Sequence, residues 1–209
     1  MWNWSENQVE MVWIRHGATR SNKEYRYLGK TDEGLSEEGM EELKRAKERN
    51  CYPKVDYVFC SPMKRCLETA EILYPAKEVV VIPDWEEMDF GVFEGKNYID
   101  LQGEEYYQVW IDSNAVLPFP GGEGREEFID RCKEGFYKML DYLFLWMIKG
   151  QNLKIQIGLI VHGGTIMSLF SSFSDGEYFD YSVANGGGYF CVLKGNRERT
   201  EFAGVRKLC

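Results

Sequence analysis

A chain of 209 residues with 34 acidic and 25 basic side chains carries a formal net charge of −9. Its composition, 44% hydrophobic and 28% charged, is typical of a folded globular protein and excludes the disordered and fibrous classes. The acidic balance argues against nucleic acid and membrane as partners, because both attract a basic protein face. A small anionic substrate stays open, since a few arginines in one pocket can reverse the local potential.

The chain alternates between predicted strands and predicted helices. Strands are predicted at residues 9–14, 55–60, 79–82, 155–161, 188–193 and 202–205, the last of them at an edge of the sheet. A helix capped by Ser36 should run to about Asn50, and the pair Ser61-Pro62 should start another helix with serine as N-cap and proline at the first position. An apolar stripe at three- and four-residue spacing between Phe128 and Met147 predicts a long helix packed on the core.

This alternation predicts an α/β fold, a three-layer α/β/α sandwich around a mostly parallel sheet. We expect a single domain over residues 1–209. Residues 91–124 interrupt the rhythm and are rich in Tyr, Trp and acids, so we expect an insertion that lies over the active site. The stretch 155–174 is long enough to span a bilayer, but its glycines, serines and His162 favour a buried strand, a turn and a helix.

The cysteines are scattered, without a Cys-x-x-Cys pair, and only His16 and His162 are available as imidazole co-ligands. This pattern argues against a zinc site, and we expect neither metal nor cofactor. Residues 1–8 lack the basic and apolar segments of a signal peptide. Scattered thiols without such a signal fit a reducing compartment, so a cytoplasmic location is predicted. The oligomeric state is left open.

Unusual polar residues follow four of the predicted strands, at the carboxyl ends where open α/β sheets bind ligands. They are Arg15-His16-Gly17, the segment from Ser61 to Arg65, Glu86-Glu87, and His162-Gly163-Gly164-Thr165. A lone histidine after a strand is more often structural than catalytic. Four such segments at one sheet edge, including both histidines of the chain, favour a catalytic site.

Several phosphate-binding patterns can be set aside on spacing. Cys60 and Arg65 have four residues between them, whereas the loop of cysteine phosphatases needs five. Each His-Gly-x-Thr segment has two residues between His and Thr, one more than the motif of two-histidine phosphodiesterases. The chain also lacks the Gly-x-x-x-x-Gly-Lys-Ser/Thr sequence of a nucleotide P-loop.

An ordered set of motifs along nearly the whole chain resembles the histidine phosphatase superfamily, also called phosphoglycerate-mutase-like. The set comprises Arg15-His16-Gly17-Ala18-Thr19 with Asn22, Gly29-Lys30-Thr31-Asp32, Leu35-Ser36-Glu37-Glu38-Gly39, Ser61-Pro62 to Arg65 with Thr69-Ala70, Glu87-Met88-Asp89-Phe90-Gly91 with Glu94-Gly95, Pro120-Gly121-Gly122-Glu123, and Val161-His162-Gly163-Gly164-Thr165. The chain departs from the family pattern at Ala18, at Cys66 and at Trp85-Glu86. None of these departures removes a core catalytic group.

The resemblance implies a phosphatase that works through a phosphohistidine without metal. It makes His16 the nucleophile and Glu87 the general acid, in preference to its neighbour Glu86. The groups implied to bind the phosphate are Arg15, Asn22, Arg65, His162, which should be cationic when phosphate is bound, and the backbone N–H of Gly163. Two arginine forks suit phosphate oxygens in a way that lysine does not.

The chain length and the motifs at 28–32 and 87–91 look most like the compact phosphatases and the α-ribazole phosphatase branch. The expected partner is therefore a small phosphomonoester, with α-ribazole phosphate as one candidate. A phosphoglycerate mutase-type isomerase and an inactive member acting as a binding module are the alternatives. Candidate specificity residues are Thr19, Arg20, Lys23, Arg26 and Tyr98, with Tyr106, Tyr107 and Trp110 as further aromatics that either stack on a base-like group or only pack the insertion.

Overall fold

The structure is a computed structural model that describes residues 8–113, 116–150 and 154–209. Within these ranges a single sheet is built from β1 (Gln8–Arg15), β2 (Tyr57–Cys60), β3 (Val79–Val81), β4 (Lys154–Val161), β5 (Gly188–Asn196) and β6 (Arg199–Lys207). The α-helices are α1 (Arg20–Lys23), α2 (Glu37–Glu48), α3 (Lys64–Leu73), α4 (Glu105–Asp112), α5 (Arg125–Gly150) and α6 (Gly163–Phe173). Short 3-10 helices lie at Pro83–Trp85, Gly91–Phe93 and Tyr178–Tyr181.

The sheet is mostly parallel, as the sequence predicts. Its order is β3-β2-β4-β1-β5-β6, and β1, β2, β3 and β4 pair in parallel. Strand β5 runs against both of its neighbours, β1 and the edge strand β6. The predicted edge strand at 202–205 is therefore confirmed, within longer bounds.

Alternate residues of β1 point to opposite faces of the sheet, and this divides the core into two layers. Met11 and Trp13 belong to a cluster that includes Phe136 of α5 and Phe170 of α6. Val12 and Ile14 belong to a second cluster with Leu43 of α2 and Leu73 of α3. The helices thus cover both faces, which confirms the α/β/α sandwich.

Helix α3 begins later than the sequence predicts. Its N-cap is Met63 rather than Ser61, and Lys64 is its first residue. The missing cap acceptor comes from a distant loop, because the Lys64 N–H donates to Asp32 Oδ1 at 2.7 Å. The Ser61 hydroxyl is therefore not needed as the helix cap. It accepts from the Met63 N–H at 3.3 Å and also contacts the ring of His162.

The segment 91–124 closes on itself at its base. The Val92 N–H donates to the Pro120 carbonyl at 2.9 Å, and the Glu123 N–H donates to the Asp89 carbonyl at 2.9 Å. Between these ties, Phe93 is fully buried, and the rings of Trp110 and Phe119 lie 5.4 and 5.3 Å from its ring centre. The aromatics of this segment therefore pack on one another and join the buried cluster that contains Trp13 and Phe136.

A disulfide joins Cys51, just after α2, to Cys209 at the C-terminus. The sequence reading treats all cysteines as thiols, and it is wrong for this pair. A sequence separation of 158 residues hides the contact from any local pattern. Cys60, Cys66, Cys132 and Cys191 are buried thiols. Because disulfides are uncommon in a reducing cytoplasm, the cysteines no longer argue for that compartment.

The run 155–174 forms strand β4, a turn at His162 and helix α6, as predicted. Among the helices in the described ranges, none is long and apolar enough to cross a membrane.

Candidate active site

His16 lies directly after β1, and its ring is fixed by its own backbone neighbour. It is 3% exposed, and its Nδ1 lies 2.7 Å from the carbonyl oxygen of Gly17. A carbonyl can only accept, so Nδ1 carries the proton and Nε2 carries the lone pair. The side chain therefore presents an unprotonated nitrogen that can attack an electrophile.

His162 follows β4, where it is the N-cap residue of α6, and it is fully buried. Its ring centre lies 5.2 Å from that of His16. Its Nε2 lies 2.7 Å from the Ser61 hydroxyl, which is the partner freed by the late start of α3. Cys66 also contacts this ring, with Sγ 3.6 Å from Nε2, and burial raises the pKa of its thiol to about 12.

Arg65, in the first turn of α3, is fully buried and held in one orientation by a loop. Its two terminal nitrogens donate to the carbonyls of Thr31 at 2.9 Å and Gly29 at 2.8 Å. Glu94 fixes that loop in turn, because its carboxylate accepts from the N–H groups of Gly29 and Thr31, both at 2.9 Å. Glycine is required at 29, since a Cβ there would lie 2.0 Å from the Met88 carbonyl oxygen.

Arg15 precedes His16 and is anchored from the other side of the site. Its Nη1 donates to the Val183 carbonyl at 2.8 Å. In the described part of the chain, the buried Nε atoms of both Arg15 and Arg65 have no hydrogen-bond partner. Unpaired buried N–H groups are costly, and an anion placed between these two guanidinium groups would satisfy them.

Glu87 is buried between the ends of β3 and β4. Its Oε1 accepts from the Met88 N–H at 2.9 Å, and its Oε2 accepts from the Gly164 N–H at 3.4 Å. A Cβ at Gly164 would lie 2.4 Å from Oε1, which explains the second glycine of the His-Gly-Gly-Thr segment. Glu86, by contrast, is half-buried, and its carbonyl is held by Arg131.

The loop that carries Glu87 is held by a half-buried ion pair. Arg131 and Glu123 form a two-pronged contact, with nitrogen–oxygen distances of 2.9 and 2.8 Å. The same guanidinium donates to the carbonyls of Asp84 at 2.8 Å and Glu86 at 3.1 Å, and Glu123 accepts from the Asp89 N–H at 3.3 Å. The backbone on both sides of Glu87 is therefore tied to α5.

Burial sets the protonation states of the site. It holds the pKa of His16 well below 6.5, and the positive charges of Arg65 and Arg15 lower this pKa further. The pKa of His162 lies well below 6.5 for the same reasons, so both rings are neutral near pH 7. Burial raises the pKa of Glu87, although Arg65 and Arg15 oppose the rise. That His162 becomes cationic on binding phosphate stays a prediction.

Asn22 is placed by a capping box at the short helix α1. The Thr19 hydroxyl accepts from the Asn22 N–H, and Asn22 Oδ1 accepts from the Thr19 N–H, both at 3.2 Å. Asn185 donates to Asn22 Oδ1 at 3.0 Å and to the His16 carbonyl at 3.1 Å. These contacts use the oxygen of the Asn22 amide, so its Nδ2 group is the end that can donate to a ligand. Thr19 itself is fully buried and acts through this cap.

Two cavities meet at these residues. One, of about 390 Å³, is lined by Arg15, His16, Asn22, Tyr25, Arg26, Tyr27, Leu28, Glu87, Phe90 and Asn185. The other, of about 260 Å³, is lined by Arg15, Glu87, Met88, Phe90, Trp110, Leu117, Phe119, Arg125, Gly163, Gly164, Met167, Tyr178, Phe179, Ser182 and Val183. Of the predicted phosphate-binding and catalytic residues, the cavities are lined by Arg15, His16, Asn22, Glu87 and Gly163. Arg65 and His162 line neither cavity, although the ring of His162 contacts that of His16.

The structure does not bring all the predicted specificity residues to these cavities. Arg20 has a side chain that is 82% exposed and pairs with Glu24, and Lys23 pairs with Glu38. Tyr98 lines a separate hollow beside α4. Arg26 does line the cavity at His16, where it is paired with carboxylates.

Of the other predicted aromatics in the 91–124 segment, two pack within the segment and one lines a cavity of the site. Tyr106 and Tyr107 pack on Phe93, with ring centres 5.9 and 5.4 Å away. Trp110 reaches the cavity at Glu87.

Sequence reasoning missed several residues of the site. Asn185 stands before a glycine run and could have been found as a turn signal. In the sequence, nothing distinguishes Met167 on α6 from an ordinary apolar residue of a helix. The guanidinium of Arg125 lies over the rings of Tyr178 and Phe179, at 5.1 and 5.2 Å from the ring centres. No local sequence pattern predicts this contact.

Comparison with known proteins identifies relatives of this chain. A phosphoglycerate mutase-like protein 4 from Arabidopsis thaliana is 30% identical over 170 residues, which cover 78% of this chain and 70% of that protein. A 2,3-bisphosphoglycerate-dependent phosphoglycerate mutase from Bifidobacterium longum (strain NCC 2705) is 35% identical over 121 residues, 52% of this chain, and the match spans about half of the mutase, 48%.

Among solved structures, the α-ribazole phosphatase from Shigella flexneri superposes with a TM-score of 0.73 at 23% identity, over 92% of this chain and 94% of that one. This likeness supports the fold. The sequence model of the histidine phosphatase superfamily (branch 1) matches residues 11–202. The chain therefore belongs to the histidine phosphatase superfamily.

Proposed function

We propose that this protein is a phosphomonoesterase that hydrolyses small phosphorylated metabolites through a phosphohistidine on His16. The observation that carries the proposal is the fixed tautomer of His16, whose Nδ1 is bound to the Gly17 carbonyl, next to two arginines with unpaired buried Nε donors. A neutral imidazole with a free Nε2 is a competent nucleophile for phosphorus. Arg15 and Arg65 supply the positive charge that phosphoryl transfer requires around the equatorial oxygens.

The reaction divides into two displacements. In the first, Nε2 of His16 forms a bond to phosphorus while the bond from phosphorus to the ester oxygen breaks, and Glu87 gives its proton to that leaving oxygen. In the second, the Glu87 carboxylate takes a proton from water, whose oxygen attacks phosphorus as the phosphorus–nitrogen bond breaks. Inorganic phosphate leaves, and both side chains return to their starting states.

Each remaining residue of the site has a role in this scheme. His162, Asn22 and the Gly163 N–H donate to phosphate oxygens, and Gly163 can do so because the first N–H groups of a helix lack intrahelical partners. Burial raises the pKa of Glu87 and so favours its protonated form, as a general acid requires. Because the arginines supply the cationic charge, we propose that the reaction needs no divalent metal.

A mutase of the phosphoglycerate type is the second candidate, and the relatives favour it. The Arabidopsis and Bifidobacterium relatives carry mutase names, and both mechanisms share the phosphohistidine. The likeness to the Shigella α-ribazole phosphatase supports hydrolysis instead. The presence of His16, Arg65, Glu87 and His162 in one cluster argues against an inactive binding module.

A panel of phosphomonoesters separates the two candidates. Purified protein is incubated with p-nitrophenyl phosphate, α-ribazole phosphate and 3-phosphoglycerate, with and without EDTA, and inorganic phosphate is measured. Hydrolysis predicts phosphate release that EDTA leaves unchanged and vanadate inhibits. Conversion of 3-phosphoglycerate to its 2-isomer without phosphate release would establish the mutase instead, and strict dependence on added metal would overturn the mechanism.

A further inference from the structure

The cavity of about 260 Å³ has walls unlike the phosphate site that it joins. Its lining includes Arg15, Glu87, Gly163 and Gly164. Apart from Arg125 and Ser182, its other lining residues are apolar or aromatic: Met88, Phe90, Trp110, Leu117, Phe119, Met167, Tyr178, Phe179 and Val183. We call these wall residues, with the space they enclose, the apolar cavity.

The apolar cavity adjoins the cavity at His16 through Arg15, Glu87 and Phe90, which line both. In-line displacement places the leaving oxygen on the face of phosphorus opposite the attacking nitrogen. His16 lines only the other cavity, whereas Glu87, which protonates the leaving oxygen in the proposed function, lines both. A group attached to that oxygen therefore lies next to Glu87, within reach of the apolar cavity.

The size of the cavity fits an aromatic ring with a short linker. An apolar protein cavity of about 150 Å³ can hold a benzene molecule, and the volume here is about 260 Å³. Trp110 and Phe119, whose ring centres lie 4.7 Å apart, offer faces and edges for ring contacts. Met167 is unbranched and adapts to the shape of a bound group.

The lining of the cavity offers few polar partners to a leaving group. Besides Arg15 and Glu87 of the reaction site, the charged residue in the lining is Arg125, whose guanidinium lies over the rings of Tyr178 and Phe179. A sugar or polyol with several hydroxyls would lose its hydration against the apolar walls and gain few hydrogen bonds.

We propose that the preferred substrates are phosphomonoesters whose alcohol carries an aromatic ring, and that Met167 and Trp110 determine this preference. The proposal rests on the proposed phosphomonoesterase function and names its substrate class. In the bound substrate, the aromatic ring of the alcohol is buried in the apolar cavity while Arg15 and Arg65 hold the phosphate.

Benzyl phosphate and ethyl phosphate test the proposal, because their alcohols have similar acidity and differ by one phenyl ring. We expect kcat/KM for benzyl phosphate to exceed that for ethyl phosphate by about 10- to 100-fold, the ratio that burial of one ring gives. Met167→Gln should reduce this ratio by about 5-fold or more and leave inhibition by inorganic phosphate unchanged. Trp110→Leu, in a different segment, should act in the same direction.

Met40→Gln is the matched control, since Met40 is also a half-buried helical methionine but lies on α2, away from both cavities. It should keep the wild-type ratio, with folding of all variants checked by thermal melting. Equal kcat/KM for the two esters in the wild type, or the same ratio in Met167→Gln and Met40→Gln, overturns the substrate class while phosphate release still supports the phosphatase. Absence of phosphate release from every ester tested overturns the proposed function itself.

Discussion

The rings of His16 and His162 lie 5.2 Å apart and are inclined at 65°, and each has one nitrogen already engaged. In His16 that nitrogen is Nδ1, bound to the Gly17 carbonyl, and in His162 it is Nε2, beside the Ser61 hydroxyl. The pair is therefore asymmetric. His16 offers the Nε2 lone pair to a substrate, whereas His162 turns the same atom toward the protein.

Replacement of His16 by alanine should abolish turnover, because no other side chain of the cluster offers an unprotonated ring nitrogen in this place. Rapid quenching after mixing with a ³²P-labelled substrate should trap labelled wild-type protein and leave His16→Ala unlabelled. The label should be lost in acid, since phosphorus–nitrogen bonds are acid-labile. Label on His16→Ala, or label that survives acid, would contradict the nucleophile assigned here.

The pH dependence of kcat/KM should show activity that persists at low pH and falls at higher pH as Glu87 loses its proton. His16 must be neutral, and because burial and Arg65 lower its pKa well below 6.5, activity should persist as pH falls below 6.5. Glu87 must be protonated, and because burial raises its pKa above 4.5, activity should fall as pH rises through the raised value. Glu87→Gln should be slower and should lose this basic limb.

The substrate's own ionisation near pH 6 affects wild type and Glu87→Gln equally, so the difference between the two profiles isolates the carboxyl group. A basic limb that is unchanged in Glu87→Gln would assign the general acid to another group.

Arg65→Lys should lower kcat/KM by at least about 10²-fold, the scale of losing one strong donor to the transition state. Lysine keeps the charge, but it cannot hold the carbonyls of Gly29 and Thr31 and also present a planar face to phosphate. Steady-state kinetics should show the loss mainly in kcat. A loss confined to KM, with kcat retained, would mean that Arg65 binds substrate and transition state equally.

Arg131→Lys should impair the general acid selectively, since Arg131 holds the carbonyls of Asp84 and Glu86 on the loop that carries Glu87. The variant should lose about 10-fold or more in kcat/KM for benzyl phosphate, whose leaving alcohol needs a proton. The loss for p-nitrophenyl phosphate should stay below about 3-fold, because nitrophenolate leaves without protonation.

Arg197→Lys provides the matched control for Arg131→Lys, since Arg197 forms an exposed ion pair with Asp141. It should change neither rate. Equal losses for the two esters in Arg131→Lys would show that the residue supports the fold without positioning Glu87.

Breaking the bond between Cys51 and Cys209 should lower the free energy of unfolding by about 2–4 kcal/mol, because the bridge closes a long loop in the unfolded chain. Urea unfolding of the wild type with and without dithiothreitol measures the change. Cys209→Ser should be as labile as the reduced wild type and insensitive to the reductant. An unfolding midpoint of the wild type that the reductant leaves unmoved would contradict the bridge.

The fold could be predicted to a large extent because its signals are local. The apolar runs at 9–14 and 155–161 have the length and the flanking turns of buried strands, and they pair as β1 and β4 at the centre of the sheet. The start of α3 could not be predicted, because its cap acceptor is Asp32, 32 residues away along the chain. The disulfide was hidden for the same reason.

The candidate site also contains residues that the sequence predicts and residues that it does not. Arg15, His16 and His162 follow neighbouring parallel strands, so topology alone brings them together. The walls of the apolar cavity come from residues such as Met167 and Phe179, which have no chemical signature until the fold is known. Tyr98 is an aromatic residue of the kind that the sequence predicts for substrate specificity, yet the structure places it in a separate hollow beside α4.

The hydrogen bonds from Val92 to Pro120 and from Glu123 to Asp89 close the base of the 91–124 segment. Its two ends meet, so residues 104–117 can be exchanged for a loop of another length while the backbone that carries Glu87 keeps its path. Glu94, which holds the loop at Gly29 and Thr31, lies outside that stretch. Grafting experiments between superfamily members could therefore transfer leaving-group selectivity without rebuilding the phosphate site. Natural divergence has the same route open to it, because insertions here alter the wall of the apolar cavity and leave the histidines untouched.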